Sequence, residues 1–174
     1  MPGGESGGEG GTRIADPLGL FPPRSRRALR LEIGFGGGEH LAAQAEAHPD
    51  TAFIGCEPFV NGVAKLLSRI EARGLANIRI HMDDARHLVA ALPEASVERV
   101  DILFPDPWPK TRHHKRRLVS TAFLDALARV MADGGRLALA TDHRGSARWM
   151  LARLVPHPAS ACRRTTGRCR RTTG

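Results

Sequence analysis

LEIGFGGGEH, Leu31 to His40, carries an apolar run into a cluster of glycines and then into a helical pattern. ALRLEI, Ala28 to Ile33, reads as a buried strand, and EHLAAQAEAH, Glu39 to His48, reads as a helix. Glycines between a strand and a helix let backbone approach a ligand without a Cβ in the way. The rest of the chain repeats this alternation. TAFIG (Thr51–Gly55), NIRIH (Asn77–His81), VERVDILF (Val97–Phe104) and RLALAT (Arg136–Thr141) are the further predicted strands. PFVNGVAKLLSRIEARG (58–74), ARHLVAAL (85–92), LVSTAFLDALARVMA (118–132) and SARWMLARLV (146–155) are the predicted helices, with Asp133-Gly134-Gly135 as a turn. Strand–helix alternation over short connections predicts right-handed βαβ units and an α/β fold, a mostly parallel sheet flanked by helices. Ligands of such sheets bind beyond the carboxyl ends of the strands.

Acidic residues stand at those ends. The glycine turn fits Glu-x-Gly-x-Gly-x-Gly, with Glu32, Gly34, Gly36 and Gly38, whereas the dinucleotide fingerprint would need a glycine where Glu39 stands. A carboxylate at the head of the turn repels a pyrophosphate and suits a cationic ligand, which points to S-adenosylmethionine with its sulfonium and amino group. A turn needed only for helix packing is the plainer alternative. Glu57 ends the second strand and is placed to accept ribose hydroxyls; a surface glutamate favoured by a helix dipole is its bland reading. Asp83-Asp84-Ala85 ends the third, where Asp84 can accept from an adenine amino group, cap a helix, or do both.

The fourth strand runs into FPDPWPKTRHHKRR, Phe104 to Arg117. Three prolines fix the backbone around Asp106 and aim its carboxylate in advance, as a reacting group requires. Trp108 offers a face for a base or a core contact. Lys110, Arg112, Lys115, Arg116 and Arg117 supply phosphate contacts, and His113 and His114 read as hydrogen-bond donors rather than metal ligands.

The formal net charge of +8 favours a polyanionic partner, nucleic acid first and an anionic membrane surface second. No run approaches the ~18 apolar residues of a membrane span. Neither a signal pattern nor a metal-ligand spacing is present, and three cysteines suit a reduced, cytoplasmic setting. Residues 1–24 read as a flexible Gly/Pro/Arg-rich tail, 25–158 as one domain, and 159–174, which include CRRTTGRCRRTTG, as a low-complexity tail.

LEIGFGGGEH, GCEPF, DDARHL, FPDPWPKTRHHKRR and ATDH resemble, in order and spacing, the bacterial tRNA (guanine-N7)-methyltransferases over roughly Arg27 to Leu154. The resemblance implies a Rossmann-like class I methyltransferase fold and methyl transfer from S-adenosylmethionine to N7 of a guanine in the tRNA variable loop. It implies cofactor contacts at Glu32, Gly34, Gly36, Gly38, Glu57, Asp84, Ala85 and Asp106, with Asp106 also catalytic. Substrate contacts fall at Lys110 and Asp142, and RNA binding at Arg112, His113, His114, Lys115, Arg116 and Arg117. The family continues with further strands and a Thr-x-x-Glu segment. Here the text passes into an arginine repeat after Pro158, so the C-terminal strands are expected to be missing. A monomer is expected. The competing expectations are a methyltransferase of another substrate and a non-catalytic RNA-binding remnant. A nicotinamide-dependent oxidoreductase is a distant further reading.

Overall fold

The computed structural model describes residues 13–106, 112–113 and 117–160. Five strands form one sheet: β1 (Leu29–Ile33), β2 (Ala52–Cys56), β3 (Ile78–His81), β4 (Val97–Leu103) and β5 (Met131–Ala140). Their order is β3-β2-β1-β4-β5, and every pair is parallel. The helices are α1 (Glu39–Ala47), α2 (Val60–Arg73), α3 (Ala85–Ala91), α4 (Thr121–Val130) and α5 (Arg144–Leu154). Each predicted strand and helix is present, in the predicted sequence order.

Alternation along β2 divides the core in two, with Ala52, Ile54 and Cys56 on one side and Phe53 on the other. Leu29, Leu31 and Ile33 enter a cluster with Ile54, Val100 and Ile102, closed by Leu88, Val89, Phe123, Leu127 and Met150 of α3, α4 and α5. On the opposite face Phe53 and Ile78 pack with Leu41, Ala42 and Ala45 of α1 and Leu66 of α2. Burial on both faces is why β2 (AFIGC) reads as a continuous apolar run, whereas β1 alternates, with Arg30 and Glu32 on the face opposite its leucines. Asn77 joins the start of β3 to its neighbours: its buried amide nitrogen donates to the carbonyls of Ala45, His48 and Thr51 at 2.9, 3.1 and 3.0 Å.

Three boundaries differ from expectation. Helix α2 begins at Val60 rather than Pro58, with the extended Phe59 before it. Helix α4 begins at Thr121 because Ser120 caps it, accepting the Phe123 N–H at 3.2 Å. The turn predicted at Asp133-Gly134-Gly135 lies inside β5 as a bulge: Val97 pairs with Met131 and Arg99 with Arg136, so two steps along β4 match five along β5. Gly134 takes φ 73° there, a left-handed conformation that glycine adopts without penalty. The packed region also starts earlier than residue 25. Phe21 is in the core, and the Ile14 N–H donates to the Ala91 carbonyl at 2.9 Å.

Candidate active site

A cleft of about 510 Å³ opens at the carboxyl ends of the strands, within the ~300–1,000 Å³ usual for ligand pockets. Its floor is the glycine turn (Ile33, Gly34, Gly36, Gly37), and the ends of β2, β3 and β4 supply Glu57, Asp83, Asp84 and Asp106. Pro58, Phe59, Phe104, Pro105 and Leu118 add apolar wall, and Lys65 and Arg86 line it too.

Glu57 is 5% exposed and organises the turn. Its Oε2 accepts the Gly36 N–H at 2.9 Å and its Oε1 the Phe59 N–H at 3.1 Å. A carboxylate has about four acceptor sites, so capacity remains for hydroxyls arriving from the cleft. Gly36 has φ 55°, and a Cβ built there meets nothing within 4 Å. The backbone surface above the turn is therefore open. Asp84 caps α3, accepting the Arg86 N–H at 2.8 Å, and also pairs with the Arg86 guanidinium at 2.7 Å. Asp83 accepts the Asp84 N–H at 2.7 Å and lies 3.0 Å from His87 Nδ1. Those bonds hold the Asp83 carboxyl below its ordinary range. Cys56 is buried beside this wall; burial pushes its thiol up to about 12, although the Sγ–H donates to the Asp83 carbonyl at 3.1 Å.

Asp106 lines the cleft from an exposed position, and the chain reaches it through Phe104, whose φ is 52°. For a residue with a Cβ that conformation costs about 1–2 kcal/mol. The Phe104 N–H donates to the Ala140 carbonyl at 2.8 Å, so the end of the β4–β5 ladder holds the strained residue in place.

Two predicted residues lie beneath the cleft rather than along it. Glu32 is 3% exposed, 2.6 Å from His40 Nδ1 and opposite Asp101 in the β1–β4 register. Burial pushes its carboxyl above the ordinary range, against the opposing pull of the His40 bond. Asp101 in turn is gripped by Arg99 through both carboxylate oxygens at 2.8–3.0 Å. Gly38 has φ 74°, and a Cβ there would stand 2.7 Å from Leu66, so its part is helix packing. Gly34 and Ala85 do line the cleft.

Asp142 is exposed just past β5, outside the residues that line the cleft. Arg112 is exposed and His113 partly so. Arg117 is only 8% exposed; its guanidinium lies 4.5 Å from the Trp149 ring centroid, with Arg153 at 3.1 Å from the same ring. That placement ties the end of the basic segment to α5. Lys110, His114, Lys115, Arg116 and Trp108 lie outside the described residues.

Sequence reasoning passed over Gly62, Phe59 and Lys65, all cleft-lining. Gly62 carried a signal, a glycine in the first turns of an amphipathic helix. A Cβ at Gly62 would meet the Gly36 carbonyl oxygen at 2.4 Å, so α2 and the turn touch backbone to backbone.

The all-parallel sheet, the glycine turn after β1 and the acids after β2, β3 and β4 define a class I S-adenosylmethionine-dependent methyltransferase fold. Solved structures with this fold include a precorrin-6y C5,15-methyltransferase from Geobacter metallireducens (TM-score 0.61, 14% identity, 81% of this chain and 67% of that one). Another is an S-adenosylmethionine-dependent O-methyltransferase from Thermotoga maritima (TM-score 0.56, 18% identity, 83% and 51%). Residues 26–168 match the family described as "Putative methyltransferase". A tRNA (guanine-N(7)-)-methyltransferase of Rhodospirillum rubrum is 53% identical over 144 residues, covering 83% of this chain and 56% of the relative. One of Caulobacter sp. strain K31 is 50% identical over 151 residues, covering 84% and 67%. The chain belongs to the tRNA (guanine-N7)-methyltransferase family, and it spans a little over half to two thirds of the length of these curated relatives.

Proposed function

We propose that the chain holds S-adenosylmethionine in this cleft and transfers its methyl group to N7 of a guanine in the variable loop of tRNA. The donor set of the cleft carries the reading. Four carboxylates (Glu57, Asp83, Asp84 and Asp106) face two cations across apolar walls. That composition suits hydroxyls, amino groups, a flat ring and a positive sulfur, and it disfavours a pyrophosphate. Glu57 binds the ribose hydroxyls, and its bonds to Gly36 and Phe59 fix it before they arrive. Asp83 and Asp84, at the end of β3, face the adenine. Glu32 and His40 support the turn from below.

The cofactor, when bound, supplies a methyl group on a sulfonium. Guanine N7 carries an in-plane lone pair and no proton, so no general base is needed. The protein must align N7 with the methyl carbon and accommodate positive charge arriving on the purine. Asp106 serves both ends: its position after a proline holds the base edge, and its charge favours the cationic product. The basic segment Lys110–Arg117 engages tRNA phosphates, with Arg112 exposed and Arg117 packed against Trp149. Substrate contact at Asp142 belongs to the same reading, as does a cytoplasmic monomer.

The test is methyl transfer from labelled S-adenosylmethionine to unmodified tRNA, with digestion to nucleosides. The expected product is 7-methylguanosine, absent when the variable-loop guanine is replaced. Asp106→Ala is expected to lose at least 100-fold in turnover while binding the cofactor normally. Transfer to a different base, or an unimpaired Asp106→Ala, would overturn the reading.

A further inference from the structure

We propose that Phe104 is the platform on which the target guanine stacks, a role that rests on the reaction proposed above. Two features of Phe104 are unfavourable for the chain by itself. Its backbone sits at φ 52°, which a side chain rarely tolerates, and the residue is 63% exposed although it lines the cleft. A strained residue that buries its side chain is explained by packing. A strained residue that keeps an aromatic ring in water is not, and such outliers gather where the fold presents a group to a ligand.

Sheet order says which ligand. Glu57, Asp83 and Asp84 follow β2 and β3, which lie on one side of β1, while Phe104 and Asp106 follow β4 on the other side. An adenosine held by the β2 and β3 acids leaves the β4 half of the cleft for the group that accepts the methyl. Phe59, the other exposed ring on the cleft among the described residues, stands beside Glu57 and belongs to the adenosine half. The chemistry agrees. Methylation at N7 leaves the purine cationic, and the face of a benzene ring attracts cations. A stack on Phe104 therefore strengthens as charge develops and favours the transition state over neutral guanine.

Three variants of the full chain, Phe104→Leu, Phe104→Gly and Phe104→Trp, test this by single-turnover methyl transfer to tRNA, cofactor affinity and thermal melting. Phe104→Leu is expected to slow transfer about tenfold or more with cofactor affinity within about twofold, since base–aromatic stacks are worth about that much. Phe104→Trp is expected to retain transfer. Phe104→Gly removes both ring and strain, so it should melt no lower than the parent and still transfer slowly, a combination that a structural role cannot produce. Calorimetric titration with 7-methylguanosine monophosphate and with GMP gives an independent readout. The parent and Phe104→Trp should prefer the methylated nucleotide, and Phe104→Leu should not. A Phe104→Leu protein with parental transfer, or a parent without that preference, sinks the stack. A parent that prefers the methylated nucleotide through Phe104 but methylates no tRNA sinks the reaction and spares the stack.

Discussion

Gly62 is helical, yet a methyl group there would press into the Gly36 carbonyl at 2.4 Å and the Glu57 side chain at 3.0 Å. In an exposed helix Gly→Ala stabilises by about 1 kcal/mol. Here the near atom is backbone of the cofactor turn and cannot swing aside. Gly62→Ala is expected to destabilise by about 2 kcal/mol net, a fall in Tm of roughly 4–8 °C, and to weaken S-adenosylmethionine binding at least tenfold by displacing Gly36 and Glu57. Melting and cofactor titration of the purified variant check both. Glu32 yields a prediction with a sign. Its carboxyl is raised by burial, so the native state holds that proton more tightly than the unfolded chain does. Its contribution to stability is complete at pH below the unfolded glutamate value and is lost as pH rises through the raised native value. Glu32→Gln has no such loss, so its Tm relative to the parent should climb between pH 4 and pH 8. A difference that does not change with pH would contradict the assignment.

Among the elements, the start of β3 is held by one side chain. Asn77 satisfies carbonyls at the end of α1, in the following loop and at the start of β2. Asn77→Ala leaves the buried carbonyls of Ala45 and Thr51 without that donor at about 1–3 kcal/mol each, while the His48 carbonyl keeps the Thr51 N–H, so a total loss of about 3 kcal/mol is expected from denaturant unfolding, with the cleft residues unchanged. Most elements were legible because β2 is apolar on both faces, β1 alternates leucine and isoleucine with charged residues, and α2 is amphipathic, patterns that a single sequence displays directly. The β5 bulge was not. Asp133-Gly134-Gly135 has the composition of a turn, and only pairing with β4 turns it into part of a strand. The acids at strand ends were legible as a set, but their partners were not. His40 under Glu32 and Arg86 on Asp84 depend on rotamers and on helix placement that spacing does not reveal. Arg117 is the clearest instance: in the sequence it is one more cation in a basic run, and in the structure it is packed against Trp149.

For the molecule as a whole, the proposed function together with the +8 charge predicts an association with tRNA that depends strongly on salt. If the outward cations neutralise about four phosphates, affinity should fall about 100-fold between 50 and 200 mM salt; filter binding across that range, with Arg112→Gln expected to flatten the slope, measures it. The order β3-β2-β1-β4-β5 has a further consequence, one of timing. Of the five described strands, the first to be synthesised is the middle of the sheet. β2 and β3 extend it on one side soon after they emerge, but its other side waits for β4, because Arg30 pairs with Arg99 only after two further strands and three helices have been made. Until then a central strand, with Leu29, Leu31 and Ile33 on one face, presents an open row of amides and carbonyls. Such long-range parallel pairing is slow, so the growing chain is most prone to mispairing and to capture by chaperones while residues 57–99 are still being added.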